Sequence, residues 1–311
     1  MKFVSFKLKD TSKKSWGLLT DGGKILDLSS LAPDLRSFLN SDWQNSMNSL
    51  REAENSSAKS LIDLVKVDLL APIPNPPSMR DGYAFRQHVE AARRNRGVEM
   101  IPEFDHFPIF YFTNHHAVSG PGPCYVREDH LNKLDFELEA AIVIGKECRN
   151  IKASEADAYI FGYTIMNDWS ARHMQMEEMK MNLGPAKGKD FNTSLGPWLV
   201  TRDELASFRI PGPHGERYNL NMKAWVNGKQ VSSGNLKDMT WTFAQILERA
   251  SYGATLYPGD VIGSGTVGTG CFMELNGSKI TDNQWLKVGD TVKLAIDGLG
   301  ELENVIVLEK V

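Results

Sequence analysis

Cysteine is scarce in this chain: Cys124, Cys148 and Cys271 are three in 311 residues. Odd in number and widely scattered, they exclude a disulfide framework and the paired spacing of a structural zinc site, and they predict reduced thiols. Long apolar runs are missing too; none approaches the roughly 18 residues needed to cross a bilayer. Neither sign of charge dominates. Lys and Arg total 35 against 39 Asp and Glu, a net charge of -4, which argues against broad nucleic-acid binding. Residues 1–7 alternate and then turn charged, without the apolar stretch of a secretion signal. The expectation is a cytoplasmic protein with no membrane and no nucleic-acid partner.

Two nucleotide-binding signatures are also lacking. The run Leu183-Gly184-Pro185-Ala186-Lys187-Gly188-Lys189 fails the Walker spacing and places proline where backbone amides are wanted, so Lys189 reads locally as a solvated loop lysine. Gly263, Gly265, Gly268 and Gly270 have the wrong spacing for a dinucleotide fingerprint.

What is present is an ordered series of short elements. Residues 3–28 read as strands around turns, with Asp21-Gly22-Gly23 as a hairpin signal. Residues 31–64 are polar and helical in texture, including the Ser/Asn-rich stretch 55–60. The proline cluster at 71–77 forbids regular structure, which divides the chain into a small N-terminal domain, 1–70, and a larger domain, 71–311. The pattern over 84–96 predicts a helix with Phe85, His88, Val89 and Ala92 on its less polar side and Arg93, Arg94 and Arg96 at its basic end. Ser154 reads as a helix start with Asp157 at the third position, and residues 160–166 as an apolar strand ending at Asn167-Asp168. Asn227-Gly228 supplies a type I′ hairpin turn, and Thr240 is placed to cap a helix over 241–249. The last sixty residues are turn-punctuated strands. Together these patterns predict an α+β fold, predominantly β and rich in antiparallel strands.

The residues richest in chemistry are Leu134-Asp135-Phe136-Glu137-Leu138-Glu139, which run directly into Ala140-Ala141-Ile142-Val143-Ile144. On a strand, Glu137 and Glu139 share a face about 6 to 7 Å apart, and that face continues into Ala141 and Val143. Two carboxylates leading into a buried face repel each other unless a cation intervenes. The alternative is a charged strand edge in solvent. Asp168, at a strand end beside Trp169, reads equally as a third ligand for a hard divalent ion or as part of an Asx turn or helix cap in which Asn167 or Asp168 binds backbone amides. His88 reads either as a packed histidine or as a proton acceptor of near-neutral pKa.

Taken in order, these motifs resemble the fumarylacetoacetate hydrolase family over residues 71–311. The paired-glutamate signature recurs as Asp135-Phe136-Glu137-Leu138-Glu139 and the strand-end aspartate as Met166-Asn167-Asp168-Trp169-Ser170-Ala171-Arg172. The resemblance implies a mixed β-sandwich roll and a divalent metal, Mg²⁺ first with Ca²⁺ or Mn²⁺ as alternatives, held by Asp81, Glu137, Glu139 and Asp168. It implies His88, Lys189 and Glu274 as catalytic residues, Glu274 orienting the histidine. Tyr83, Arg172, Gln175 and Thr266 are implied as substrate contacts. Gly82 departs from the family's bulky aromatic, and Met179 stands where a substrate-binding tyrosine is expected. The implied activity is hydrolysis of a carbon-carbon bond in a 1,3-diketo acid, such as an acylpyruvate or fumarylacetoacetate-like compound, in aromatic compound catabolism. Isomerisation, hydration or decarboxylation of an unsaturated 2-oxo acid is the alternative, and a non-catalytic metabolite-binding protein a third reading. A homodimer is implied as well.

Overall fold

The computed structural model describes residues 1–54, 61–95 and 97–310; the polar stretch 55–60 and Arg96 lie outside them. Among the described residues, alternating apolar positions fold into a 12-stranded mixed sheet and a five-stranded sheet. At the centre of the larger sheet, Leu138–Ile144 lies between Ile160–Asp168 and Val261–Gly263, antiparallel to both. Met79–Gly82 follows Val261–Gly263 in parallel and pairs in turn with Phe110–Phe112. The smaller sheet carries the predicted hairpin: Asn221–Val226 and Lys229–Asn235 are joined through Asn227 and Gly228, both at positive φ, as a type I′ turn requires.

The period-2 pattern of the central strand sets the layering. Leu138, Ala140, Ile142 and Ile144 point into a large core shared with Ala224, Leu294 and Leu302 of the five-stranded sheet. Ala141 and Val143 point the other way, onto Phe3, Trp16, Phe38 and Phe161. The fold is thus the expected α+β arrangement, predominantly β. The larger sheet continues into the N-terminal strands, because Lys2–Leu8 pairs with Thr193–Thr201.

Three local expectations are corrected. Leu61–Asp63 is a strand and not helix, recruited as an edge partner of Lys24–Asp27, so sheet pairing overrides local texture. The helix at Ala153–Ala156 starts one residue before Ser154, and Glu155 accepts a hydrogen bond from the Lys152 backbone N–H at 3.2 Å. Thr242, not Thr240, caps the later helix, Phe243–Ser251. Its hydroxyl accepts from the Gln245 N–H while the Gln245 side chain accepts from the Thr242 N–H, a reciprocal capping box that Thr240 has no partner to make.

Candidate metal centre and active site

Three strands, and the break that leads into one of them, deliver the acidic residues. Asp81 comes from Met79–Gly82, Glu139 from Leu138–Ile144, Asp168 from the end of Ile160–Asp168, and Glu137 from the short break before Leu138. Adjacent strands bring these ends together, and one carboxylate oxygen from each of Asp81, Glu137, Glu139 and Asp168 lies within 4.8 Å of the other three. All four side chains are buried. Gly263 makes the approach possible, since a Cβ there would sit 2.3 Å from Asp81 Oδ1.

The cations near this quartet do not balance it. Lys189 Nζ donates to Glu137 Oε2 at 2.5 Å and Asp168 Oδ2 at 2.6 Å. Arg172 donates to Glu137 Oε1 at 2.7 Å, Asp135 Oδ2 at 2.9 Å and Gln175 Oε1 at 3.0 Å. Glu139 Oε2 and Asp168 Oδ1 are buried and receive no hydrogen bond. Two bare carboxylate oxygens inside a protein carry a heavy desolvation cost, and a divalent ion removes it. The donor set, all oxygen, suits Mg²⁺, Mn²⁺ or Ca²⁺.

The electrostatics separate the quartet into two kinds of carboxylate. Burial works to raise Glu137, but Lys189 and Arg172 outweigh it and hold the group well below the usual range. Burial, reinforced by the Asp168 charge, pushes Asp81 up to about 7. Burial and then the Asp81 charge drive Glu139 well above its ordinary value. Lys189 is buried, yet Asp168 and Glu137 keep its ammonium protonated. The solvated loop lysine of the local reading is therefore corrected: Gly188 packs so tightly on the Arg172–Met179 helix that a Cβ would lie 2.6 Å from the Gln175 backbone nitrogen, and that approach turns Lys189 inward.

Above the carboxylates opens a cavity of about 1210 Å³, with Asp81, Glu137 and Lys189 in its floor. His88 projects into it from the buried side of the Arg86–Asn95 helix. His88 Nδ1 stands 2.7 Å from Glu274 Oε2, with both side chains buried. Tyr83 packs edge-on against the His88 ring at 5.9 Å between centroids. Thr266 lies in the same wall and donates from Oγ1 to Glu139 Oε1 at 3.3 Å. Gln175 and Met179 line the cavity, whereas Glu139, Asp168 and Glu274 stand behind its surface. Every candidate site residue thus belongs to one cluster. Of the basic helix end, Arg93 reaches the cavity, and its Nε donates to the Glu99 carbonyl.

The Fumarylacetoacetate (FAA) hydrolase C-terminal family model matches residues 78–307. The chain belongs to the fumarylacetoacetate hydrolase family. An oxaloacetate tautomerase of Xenopus laevis, named as mitochondrial, is 32% identical over 314 residues, covering 99% of this chain and 90% of that one. A fumarylacetoacetase of rice is 30% identical over 312 residues, covering 82% of this chain and 72% of its own length. Among solved structures, a fumarylacetoacetate hydrolase from Exiguobacterium antarcticum superposes with a TM-score of 0.73 at 25% identity, covering 99% of this chain and all of that one. A Sphingobium maleylpyruvate hydrolase in complex with manganese(II) and pyruvate gives 0.72 at 22% identity over the whole of both chains, a likeness of fold. Members of the fumarylacetoacetate hydrolase family similar to this chain therefore carry the names of hydrolases and of tautomerases, and the family assignment supports an enzyme without choosing between those reactions. No helix among the described residues is long and apolar enough to cross a membrane.

Two residues, Tyr111 and Asp135, escaped the sequence reading, and Asn167 binds a backbone amide as the alternative reading of the strand end expected. Tyr111 donates its hydroxyl to Asp168 Oδ2. Asn167 accepts from the Glu137 N–H at 2.9 Å and so fixes the break that turns Glu137 inward. Asp135, quoted above only as part of a motif, anchors Arg172 and accepts from the backbone N–H groups of Phe272 and Met273. The signal for Tyr111 was its place within Phe110-Tyr111-Phe112, an aromatic strand too short to show a period.

Proposed function

We propose that this chain is a metal-dependent hydrolase that cleaves a carbon-carbon bond in a 1,3-diketo acid, an acylpyruvate or fumarylacetoacetate-like compound. The observation that carries this reading is the buried His88–Glu274 pair at 2.7 Å, in the wall of the cavity that reaches the carboxylates. Asp81, Glu137, Glu139 and Asp168 are the proposed ligands. A bound divalent ion would act as a Lewis acid on the adjacent keto and enolate oxygens of the substrate.

With Nδ1 committed to Glu274, His88 Nε2 is the nitrogen left to take a proton from water. The Glu274 carboxylate fixes that tautomer and stabilises the imidazolium that forms. The Lys189 ammonium, pinned by Glu137 and Asp168, offers its remaining N–H to oxyanion charge developing in the cavity. Arg172 has its donors on Asp135, Glu137 and Gln175 and serves to position Glu137. Tyr83, Gln175 and Thr266 are left as the substrate contacts. All of these residues fall within 71–311, the stretch we assign to catalysis. A cytoplasmic homodimer completes the proposal.

A second reading, tautomerisation of a small 2-oxo acid, is favoured by the full-length relatives named oxaloacetate tautomerases. The cavity supports the first reading over it: about 1210 Å³ with Met176, Met179, Ile280 and Trp285 in its walls is large for a ligand site and suits a substrate with an apolar tail. Metal-stripped protein is to be incubated with acylpyruvates and with oxaloacetate, with and without Mg²⁺ or Mn²⁺, the acid products identified by mass and the enol–keto exchange of oxaloacetate followed by the ultraviolet absorbance of its enol. Hydrolysis yields two acids from an acylpyruvate only when the metal is present. Enol–keto exchange of oxaloacetate with every acylpyruvate left intact would reject the hydrolase reading.

A further inference from the structure

A second group of ligating side chains assembles beside the quartet, and its chemistry is different. Cys271 immediately precedes the Phe272–Gly277 helix and Glu274 lies three residues further on, while His88 reaches both from the Arg86–Asn95 helix. A ring nitrogen of His88, the Cys271 sulfur and a carboxylate oxygen of Glu274 all lie within 4.8 Å of one another, and all three residues are buried. Hydrolysis as described above uses His88 and Glu274 and leaves the thiol without a task.

Sulfur, nitrogen and oxygen form a borderline-soft donor set that prefers Zn²⁺ or Co²⁺ to the hard ions suited to the quartet. Bonds of about 2.0 to 2.3 Å at a tetrahedral centre place donor atoms about 3.3 to 3.8 Å apart. His88 Nδ1 and Glu274 Oε2, now 2.7 Å apart, therefore need to part by about 0.6 Å, and the Cys271 sulfur, within 4.8 Å of both, to come into bonding range of the same ion. Three protein ligands leave a fourth position, and because His88 lines the cavity an ion has a route of entry.

We propose that His88, Cys271 and Glu274 form a second metal site, selective for zinc-like ions and separate from the all-oxygen quartet, and that filling it inhibits the enzyme. On binding, the thiol proton of Cys271 leaves to solvent. The imidazole proton moves from Nδ1, which becomes a ligand, to Nε2. With a hydrogen on Nε2, His88 has no lone pair left to take a proton from water. The existence of the site is independent of the hydrolase reading; the inhibition rests on it.

The test adds Co²⁺ to the reduced full-length protein in saturating Mg²⁺ and records the absorption spectrum. A thiolate-to-cobalt charge-transfer band in the near ultraviolet is expected, since the quartet contains no sulfur. Zn²⁺ should titrate the band away, Cys271→Ser should abolish it, and Cys124→Ser should leave it unchanged. In parallel, Cys271→Ser should keep the basal Mg²⁺-dependent rate while raising the Zn²⁺ concentration for half-inhibition about tenfold or more. Absence of the band from the wild-type protein, a measurement that needs no variant, overturns the site, as does its persistence in Cys271→Ser. Equal Zn²⁺ inhibition of wild type and variant overturns the inhibitory role and places zinc at the quartet. Failure of the hydrolase reading would leave the cobalt band intact, so the two outcomes are told apart.

Discussion

Arg172 donates from Nε to Asp135 Oδ2 at 2.9 Å, and through that bond two distant parts of the site are tied together. The Asp135 carboxylate also accepts the N–H of Phe272 at 2.7 Å and of Met273 at 2.9 Å, the first residues of the helix that carries Glu274. Arg172 in turn grips Glu137. A single buried carboxylate thus sets the spacing between the metal ligands and the histidine pair.

Replacing Asp135 with alanine strips the backbone N–H groups of Phe136, Phe272 and Met273 of their side-chain acceptor and leaves Arg172 partly unpaired. Breaking a buried ion pair in this way costs about 3 to 5 kcal/mol. The urea midpoint should fall with little change in slope, and Asp135→Asn, which keeps the shape and one acceptor, should be milder. Equal midpoints for wild type and Asp135→Ala would show that the bond ties nothing.

The His88–Glu274 pair makes a kinetic prediction. His88→Ala should retain its fold and its Mg²⁺ affinity while turnover drops about 10²- to 10⁴-fold, the usual contribution of a positioned base. Glu274→Gln keeps an acceptor for Nδ1–H but loses the charge that favours imidazolium, so kcat should fall while KM holds, and less severely than in His88→Ala. Near-wild-type turnover by His88→Ala would remove the histidine from the proton path.

How much of this was legible in the sequence depended on distance along the chain. Glu137, Glu139 and Asp168 could be read because strand periodicity and a strand end are local features, and their order matched a known family. His88 could be placed on the buried side of a helix by its 3.6-residue pattern. Its partner could not be located by pattern: 186 residues separate His88 from Glu274, and only the resemblance linked them. Lys189 was misread locally because its glycine-rich surroundings have the composition of a solvated loop; Gly188 pressed against Gln175 gives that composition another purpose. Leu61–Asp63 was misread because its partner strand, not its own composition, makes it a strand.

Glu139 offers a test in which two effects separate. Burial and the Asp81 charge hold its carboxyl well above the usual value without an ion, which favours the neutral form, and glutamine is nearly the isostere of that form. Glu139→Gln should therefore leave the melting temperature of metal-free protein almost unchanged. The increment added by Mg²⁺, which follows the ratio of ion concentration to Kd, should shrink or vanish because an anionic ligand is gone. Thermal melts with chelator and with Mg²⁺ check both parts; a full Mg²⁺ increment in the variant would remove Glu139 from the ligand set.

The pH dependence of the metal-free protein has a definite sign. Asp81 is held at about 7 by burial and the Asp168 charge, against an ordinary value of 3.8. Between those values the folded state binds a proton that the unfolded chain has released, so the contribution of Asp81 to stability falls as pH rises through this window and levels off above about 7. Glu139, also raised, acts in the same direction. Metal binding needs both groups ionised and expels their protons, so Mg²⁺ should bind more tightly as pH rises toward neutrality. Melts from pH 5 to 7.5 should show the metal-free curve descending and the gap to the Mg²⁺-loaded curve widening. Calorimetry in buffers of different ionisation enthalpy should register proton release on Mg²⁺ binding near pH 6. Asp81→Asn should flatten the descent. A metal-free melting temperature that climbs across the same range would mean that these carboxyls are ionised in the folded protein without an ion, and that the cavity floor is better solvated than its burial shows.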